Sequence, residues 1–373
     1  MKSNELTNPF TLKSLSLSGR VVMAPMTRSR SPHNLPGADV AEYYRRRAEN
    51  NVALIITEGT VVDPAGHAYP DVPNFYGKKA LQGWEHVVKN VHAGGGKIFP
   101  QLWHTGSVRQ KGMPPEPNVP GYAPSSILHP SMKEGAVPEE LSEKDIENVI
   151  AAFARAAHEA EQIGFDGIEL HGAHGYLIDQ FFWNRTNHRT DVYGGSNIAE
   201  RTRFAVDLIR AVRQEVGADF PVCLRFSQWK LGDYETKLAR TPKELETFLT
   251  PLADAGVDIF HCSTRRFFEP EFAGSDLNLA GWTKKITAKP VISVGSVGLD
   301  SDFISNRMSP EKNKPHGSEK TIQYLLERLE RNEFDLIAVG RALLADPEWV
   351  TKVIDDRFDE INTFTMESLN TLY

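Results

Sequence analysis

Short apolar segments alternate with longer amphipathic segments along almost the whole chain of 373 residues. The apolar segments are rich in Val, Ile and Phe and have the length of buried strands, whereas the longer segments have helical periodicity. Strand and helix alternating eight times predict a parallel sheet, either open and doubly wound or closed into a barrel. The eight predicted strands are Val21–Met26, Ala53–Thr57, Lys97–Trp103, Gly167–His171, Val222–Phe226, Asp258–Cys262, Val291–Val294 and Leu336–Val339.

Two of the predicted helices carry clear boundary signals. Ser142 and Asp145 have the spacing of a capping box ahead of an amphipathic segment that reaches Gly164. Thr241 stands before a proline at the first helical position of another segment, which Gly256 ends. These signals fix where helices interrupt the strands.

The lengths of the connections favour a closed barrel. Connections from helix to strand are short, whereas several from strand to helix are long, and long loops at one end only are typical of an enzyme barrel. We therefore predict one (β/α)8 barrel, or TIM barrel, over residues 1–373 as a single domain. A segment with seven prolines, at about 104–141, is an insertion that forms either a structured lid or a mobile excursion. The long connections are His104–Leu141, Gly172–Glu200, Ser263–Asn278 and Gly295–Ser318.

Composition narrows the class of partner. The chain has 42 Lys and Arg against 49 Asp and Glu, a net charge of −7, and no basic block longer than Arg45–Arg47, which argues against nucleic acid and anionic membranes. Two cysteines, in apolar runs, fit a reducing compartment. The start of the chain lacks an apolar leader and no run approaches a membrane span. We expect a cytoplasmic protein that acts on small molecules.

The residues at the predicted strand ends exclude some chemistries. None of these ends carries a lysine for a Schiff base, and strands 4 and 7 lack the carboxylate pair of a barrel glycosidase. Glu58 is the one carboxylate at a strand end, and we interpret it as a structural ion-pair partner. The run Gly94–Gly96 precedes a strand and so belongs to the opposite face, where we assign no ligand.

The ends of strands 7 and 8 predict a phosphate site. Barrels commonly bind phosphate there through backbone N–H groups. Gly295 begins a Gly-Ser-Val-Gly sequence after strand 7, and Gly340 with Arg341 follows strand 8. Arg341 would add a bidentate charge clamp.

The end of strand 4 has three interpretations. His171 and His174 could be metal ligands, with His104 and His261 completing a four-histidine set for a metal-dependent hydrolase. They could instead donate hydrogen bonds to a substrate oxygen, with the phenol of Tyr176 as an acid, or they could be structural. Strand 1 has no carboxylate or His-x-His pair, which a metal barrel would be expected to supply.

Taken together, the motifs resemble the old yellow enzyme family of flavin-dependent ene-reductases. The resemblance runs in order from about Asn8 to Pro347, and Thr27, in place of Cys, resembles the classical branch of that family. The motifs that carry it are Met23–Arg28, Thr57–Gly59, Gln101–Gly106, His171–Phe181, Arg189–Ser196 and Val339–Arg341.

The resemblance implies one non-covalent FMN at the mouth of the barrel. Thr27 would hydrogen-bond the flavin ring near its reactive nitrogen, and Arg225 would stabilise the anionic reduced ring. No metal and no separate dinucleotide domain are implied. The residues implied to bind FMN are Ala24, Pro25, Thr27, Gly59, Gln101, Arg225, Gly295, Gly340 and Arg341.

The resemblance also implies a reaction. NAD(P)H would reduce the flavin and leave, and an alkene bearing a carbonyl or nitro group would take its place. His171 and His174 would donate hydrogen bonds to the activating oxygen, and Tyr176 would protonate the α-carbon. Thr27 and Trp103 would complete the substrate pocket. No nucleic acid or membrane is implied as a partner, and the protein would be a monomer or homodimer.

Three features depart from the commoner family members. Ser107 replaces an Arg, the run 263–268 is unlike theirs, and the last residue, Tyr373, follows a different tail. They place the substrate range in question. A metal-dependent hydrolase and a flavin-binding sensor without alkene reduction remain as alternative functions.

Overall fold

A computed structural model describes residues 4–299 and 318–373, and in it eight parallel strands close into a barrel. Each strand pairs with the next one along the chain, and the last pairs with the first. The closed barrel predicted from the connection lengths is confirmed. Its strands are β1 (Val21–Met23), β2 (Leu54–Val61), β3 (Lys97–Trp103), β4 (Ile168–His174), β5 (Val222–Lys230), β6 (Ile259–Ser263), β7 (Val291–Val294) and β8 (Leu336–Val339).

The observed strands differ from the predicted ones mainly at their C-terminal ends. Strands β3, β7 and β8 have the predicted bounds, whereas β2, β4 and β5 continue to Val61, His174 and Lys230. The pairing register shifts within β2, where it pairs with β3, and again within β5, where it pairs with β4, as at β-bulges. A bulge breaks the two-residue alternation on which strand prediction relies, so the sequence pattern ends early.

Helices surround the barrel. Ser142 and Asp145 form the predicted capping box, and the Thr241 side chain accepts a hydrogen bond from the backbone N–H of Glu244 ahead of the second predicted helix. The helices are α1 (Asn4–Thr7), α2 (Ala38–Ala48), α3 (Lys78–Ala93), α4 (Glu143–Gln162), α5 (Leu177–Phe182), α6 (Arg203–Val216), α7 (Pro242–Ala255), α8 (Leu279–Thr287), α9 (Ser318–Glu330), α10 (Arg341–Ala345) and α11 (Trp349–Ile354).

An antiparallel hairpin, Phe10–Leu12 with Leu15–Leu17, closes one end of the barrel. Its buried side chains join the same apolar cluster as Leu54 and Leu336, which begin β2 and β8. Because those residues lie at the N-terminal ends of their strands, the hairpin covers that end. The C-terminal end is therefore the one that can receive a ligand.

The proline-rich insertion is folded. Two short strands, Tyr122–Ala123 and Glu139–Glu140, pair within it. The guanidinium of Arg109 is buried and donates hydrogen bonds to several backbone carbonyls, among them that of His67 at 2.7 Å. The insertion is therefore structured, and its role as a lid stays a prediction.

Within the described residues, no helix combines the length and apolarity needed to cross a membrane.

The hairpin generates a stability prediction. Leu15 is 1% exposed and belongs to the barrel-interior cluster, so we expect Leu15→Ala to lower the free energy of unfolding by about 2–5 kcal/mol. Leu12, on the paired strand of the same hairpin, is only partly buried, so Leu12→Ala is the matched control and should cost less. Denaturant unfolding measures both. Equal losses in the two variants would show that the hairpin does not close the barrel core.

Candidate active site

A cavity of about 500 Å³ lies at the C-terminal ends of the barrel strands. This volume is in the range of about 300–1,000 Å³ usual for small-molecule and cofactor sites. The cavity brings together residues from both ends of the chain, as expected for a barrel mouth. The predicted site residues that line it are Ala24, Pro25, Thr27, His174, Arg225, Gly295, Gly340 and Arg341.

The predicted phosphate-binding residues share one wall of this cavity. Gly295, Gly340 and Arg341 line it together with Ser296. The guanidinium of Arg341 lies 5.8 Å from the centre of the Phe364 ring. The loop predicted over Gly295–Ser318 falls outside the described residues from position 300 to 317, so the phosphate site stays a prediction.

Polar side chains form a layer inside the barrel near the cavity. Gln101 Nε2 donates to one oxygen of Glu169 at 2.8 Å, and His261 Nδ1 donates to the other at 2.6 Å. Arg225 stands directly across from His261 on the neighbouring strand. Burial raises the pKa of Glu169, but His261 and Arg225 more than offset this and hold it below its usual value. The carboxylate is therefore ionised at neutral pH.

Glu169 is a residue that the sequence analysis missed. It lies inside β4 and not at the strand end, where functional residues were sought. One signal was available, because Glu169 stands two residues before His171 and so shares its face of the strand. A carboxylate in an apolar strand, on the face of a candidate catalytic residue, indicates a buried polar network.

Arg225 presents donors that are not all used. Its Nη2 donates to Ser263 Oγ at 3.3 Å, whereas its Nε is buried without a hydrogen-bond partner in the described part of the chain. The same holds for Nδ1 of His171. Leaving a buried polar atom unpaired costs about 1–3 kcal/mol. A ligand with hydrogen-bond acceptors would remove this cost.

His171 and His174 lie edge to face, with ring centres 5.2 Å apart. His174 Nε2 lies 2.8 Å from Ser263 Oγ. Burial, with the charge of Arg225, lowers the pKa of His171 to about 3 and that of His174 well below its usual value. Both imidazoles are therefore neutral at physiological pH and carry one N–H each. They can donate hydrogen bonds without bringing a charge into the site.

Tyr176 adjoins this pair. Its ring centre is 5.0 Å from that of His171 and 4.8 Å from that of Trp103. Its hydroxyl oxygen lies 3.3 Å from the hydroxyl oxygen of Tyr69. Burial and Tyr69 raise the pKa of Tyr176 well above 10, so the phenol is protonated at neutral pH. The sequence analysis missed Tyr69, although it follows β2 at the functional end of the barrel.

Trp103 packs against Tyr69, His171 and Gly59. Its ring stacks on Tyr69 with centres 5.6 Å apart and on His171 at 5.8 Å. A Cβ added to Gly59 would lie 2.3 Å from a carbon of the Trp103 ring, so a glycine is needed there. Trp103 and Tyr69 form an aromatic cluster with His171 and Tyr176. His171 packs on His174, which lines the cavity, so the cluster adjoins the cavity at His174.

Glu58 does not have the predicted role. Its carboxylate accepts hydrogen bonds from the backbone N–H groups of Arg28 and Ser29, at 2.8 and 3.1 Å. The Arg28 guanidinium instead donates to backbone carbonyls in the segment 368–371. Burial raises the pKa of Glu58 to about 7. The carboxylate thus holds the backbone beside Thr27, and a backbone contact of this kind has no signature in sequence.

Two of the three regions that depart from the family pattern, the tail and the run 263–268, contribute to the cavity. Leu369, in the tail, and Arg265, in the run 263–268, both line it. Ser107 is buried, and its backbone N–H donates to the Gln180 side chain at 3.1 Å. The first two regions therefore shape the cavity wall.

The four-histidine hypothesis finds no support in the side-chain positions. No group of three or more His, Cys, Asp or Glu side chains is arranged to hold a metal ion within the described ranges. His104 Nδ1 accepts a hydrogen bond from the Gly106 N–H, and its Nε2 lies 3.6 Å from Asp63. His261 is engaged with Glu169.

A lysine does end one strand, contrary to expectation. β5 reaches Lys230, four positions beyond the predicted end at Phe226. Lys230 is completely buried, and its Nζ lies 2.6 Å from Asp179 Oδ1. Because the amine is buried and held in an ion pair with Asp179, Lys230 is not a candidate for forming a Schiff base with a substrate.

Comparisons with known proteins give the family. The model of the NADH:flavin oxidoreductase / NADH oxidase family matches residues 5–311. The putative 12-oxophytodienoate reductase 3 of Oryza sativa subsp. japonica is 36% identical over 345 residues, 92% of this chain and 84% of that protein. The NADH oxidase of Thermoanaerobacter brockii is 35% identical over 359 residues, 93% of this chain and 50% of that protein. Two other rice reductases, 42% identical, are each matched over 57% of their length.

The fold comparison agrees. The structure of morphinone reductase superimposes with a TM-score of 0.78 at 27% identity, over 99% of this chain and 94% of that one. The family match covers well over half of the chain and most of the motifs that carried the resemblance. The chain belongs to the NADH:flavin oxidoreductase / NADH oxidase family, which is the old yellow enzyme family.

Proposed function

We propose that this protein is an FMN-dependent NAD(P)H oxidoreductase that reduces the activated C=C bond of α,β-unsaturated carbonyl or nitro compounds. One observation carries the proposal. Two neutral imidazoles, His171 and His174, and the protonated phenol of Tyr176 lie together beside a cavity of cofactor size. Such a group can polarise an oxygen and supply a proton without introducing charge.

The residues around the cavity fit FMN. The unpaired Nε of Arg225 is a buried donor suited to the acceptor-rich edge of a flavin. Arg341 lines the same cavity together with Gly295 and Gly340 and would bind the phosphate. Thr27 and the backbone of Ala24, Pro25 and Gly59 would contact the ring, and Gln101 with Arg225 would contact its pyrimidine edge. When bound, FMN supplies a hydride taken from NAD(P)H to the β-carbon of the alkene.

The imidazoles would orient the substrate. Each neutral ring offers one N–H, and two such donors on one carbonyl or nitro oxygen stabilise the negative charge that develops there. His171 has an unpaired buried Nδ1, and His174 is held by Ser263 through its Nε2. Trp103 stacks on His171 and limits the positions that a substrate can take.

Tyr176 would supply the proton to the α-carbon. A phenol suits this step because it is protonated at neutral pH and can still transfer a proton to an enolate-like carbon. The Tyr69 hydroxyl, 3.3 Å away, would stabilise the phenolate that remains.

The relatives support the same assignment. They are named as 12-oxophytodienoate reductases, an NADH oxidase and morphinone reductase, and one solved complex is a morphinone reductase variant with tetrahydroNAD. A complex of a relative with an NAD analogue supports the inference that NAD(P)H is the hydride donor, and the proposed mechanism has NAD(P)H and the alkene use one site in turn. A flavin-binding protein without alkene reduction is the remaining alternative.

The visible absorption spectrum tests the function directly. We expect a flavin spectrum that bleaches on anaerobic addition of NADPH or NADH and returns when 2-cyclohexenone is added. A colourless protein that FMN cannot reconstitute would contradict the cofactor. Bleaching without recovery would contradict alkene reduction and favour the flavin-binding alternative.

Replacing Tyr176 separates the two half-reactions. Tyr176→Phe should leave flavin reduction by NAD(P)H intact and slow alkene reduction by about 100-fold, since general acid catalysis contributes about 10²–10⁴-fold. Stopped-flow absorbance measures each step. Tyr122→Phe, in the insertion, is the control and should change neither. Unchanged alkene reduction in the Tyr176 variant would remove this residue from the mechanism.

The lowered histidine pKa values predict the pH dependence. Because the pKa of His171 is about 3, alkene reduction should show no decline centred near pH 6.5. In the unfolded chain this histidine becomes protonated below about pH 6.5, whereas in the folded chain it becomes protonated only near pH 3. Stability should therefore fall on acidification through that window, by about 1.4 kcal/mol per pH unit for each such histidine. Thermal unfolding from pH 7.5 to 5 measures this fall, and a constant Tm would contradict it.

A further inference from the structure

A buried ion pair ties the turn that carries His174 and Tyr176 to the end of β5. Lys230 Nζ lies 2.6 Å from Asp179 Oδ1, and both side chains are completely buried. The other oxygen of Asp179 accepts a hydrogen bond from the backbone N–H of Gly175 at 2.7 Å. Gly175 is the residue between the imidazole and the phenol, so the pair acts on the backbone that joins them.

β5 also holds His174 directly. The His174 N–H donates to Ser227 Oγ at 2.9 Å, and its carbonyl accepts from the Leu231 N–H at 3.0 Å. Its ring stacks on Trp229 with centres 4.3 Å apart. The backbone φ of His174 is +66°, a conformation that non-glycine residues rarely adopt. Such a conformation persists where the surroundings impose it, and these contacts come from the strand that ends in Lys230.

The carbonyl of Gly175 is held from the other side. It accepts hydrogen bonds from Gln180 Nε2 at 2.7 Å and from His129 Nε2 at 2.9 Å. His129 belongs to the proline-rich insertion, and its Nδ1 accepts from the Ser131 N–H, which leaves Nε2 as the donor. Gly175 has a φ of +84°, so a glycine is needed at this point. Both backbone polar groups of Gly175 are thus anchored, the N–H by Asp179 and the carbonyl by Gln180 and His129.

Stability alone does not account for the ion pair. Burial lowers the pKa of Lys230 and raises that of Asp179, and in each case the partner opposes the shift without cancelling it. Replacing a buried pair by apolar residues of similar size is often neutral or stabilising. An apolar pair could not accept a hydrogen bond from the Gly175 N–H. The carboxylate of Asp179 accepts this bond and is itself fixed to β5 through Lys230.

We propose that Asp179 and Lys230 are positioning residues that fix His174 and Tyr176 for alkene reduction while leaving flavin reduction by NAD(P)H unaffected. The proposal rests on the proposed function. Neither side chain is among those that line the cavity. The pair acts through the Gly175 backbone, and Lys230 Nζ is itself anchored by the carbonyl of Ser227 at 2.9 Å.

The test uses the flavin-loaded enzyme and three variants. Lys230→Met removes the cation and leaves the Asp179 charge unpaired. The double variant D179N/K230M leaves no unpaired charge, so it remains informative if the single variant does not fold. The amide oxygen at position 179 can still accept a hydrogen bond from the Gly175 N–H, but it is no longer tied to β5 by an ion pair. Lys352→Met is the matched control, because Lys352 forms another buried pair, 2.8 Å from Asp346, away from this turn.

Stopped-flow absorbance would follow flavin reduction by NADPH and then reoxidation by 2-cyclohexenone. In both Lys230 variants we expect reduction within about twofold of the wild type and reoxidation slower by about tenfold to 100-fold, the scale of an ångström-sized misplacement. Binding of a phenol, read from the flavin spectrum, should weaken in parallel. The Lys352 variant should match the wild type in all three measurements.

The outcomes distinguish this proposal from the function on which it rests. Reoxidation and phenol binding at wild-type values in the double variant would overturn the positioning role. Equal losses in both half-reactions would show a general structural role and would also overturn it. If the wild type itself were not reoxidised by the enone, the proposed function would fail, and the positioning role would fail with it.

Discussion

Closure of the sheet between β8 and β1 is the constraint on which the rest of the molecule depends. Val21 and Val22 pair with Ile337 and Ala338, and the Ala24 N–H donates to the Val339 carbonyl at 2.9 Å. This pairing joins segments more than 300 positions apart and turns eight strands into a ring. All strand ends then face one space, so residues from both ends of the chain can meet in one cavity. In an open sheet of the same strand order, β1 and β8 would lie at opposite edges, so Thr27 and Arg341, which follow these strands, would share no wall.

Inside the barrel, the side chains are apolar at the N-terminal end of the strands and polar toward the C-terminal end. The hairpin and the strand starts fill the N-terminal end with apolar side chains such as Leu15 and Leu54. Toward the other end, Glu169, Arg225 and His261 occupy positions where a barrel usually holds aliphatic residues. Their burial is tolerated because Glu169 and Arg225 carry opposite charges and because Gln101 and His261 both donate hydrogen bonds to Glu169. The apolar end stabilises the fold, and the polar end prepares a surface for a ligand.

Burial also determines the chemistry of the candidate catalytic groups. An exposed imidazole would be partly charged near neutral pH, whereas His171, with its pKa of about 3, stays neutral. The same exclusion of water raises the pKa of Tyr176, whose phenol is protonated at neutral pH in any case. The sequence supplies these residue types, but the neutral state of the imidazoles comes from the packing around them. The folded insertion contributes to that packing, since His129 bonds to the backbone beside Tyr176.

The sequence by itself determined the order of strands and helices, the helix starts at Ser142 and Thr241, and eight of the residues that line the cavity. These follow from local periodicity, capping chemistry and motifs, all of which can be read within a short window. Only the tertiary structure decided that β5 reaches Lys230, that Glu58 binds backbone N–H groups, and that Glu169, Tyr69 and Asp179 take part. Each of these depends on a bulge, on the register between strands or on a contact across the barrel. The partner of a buried charge is set by distances between segments remote in sequence, and no local pattern carries that information.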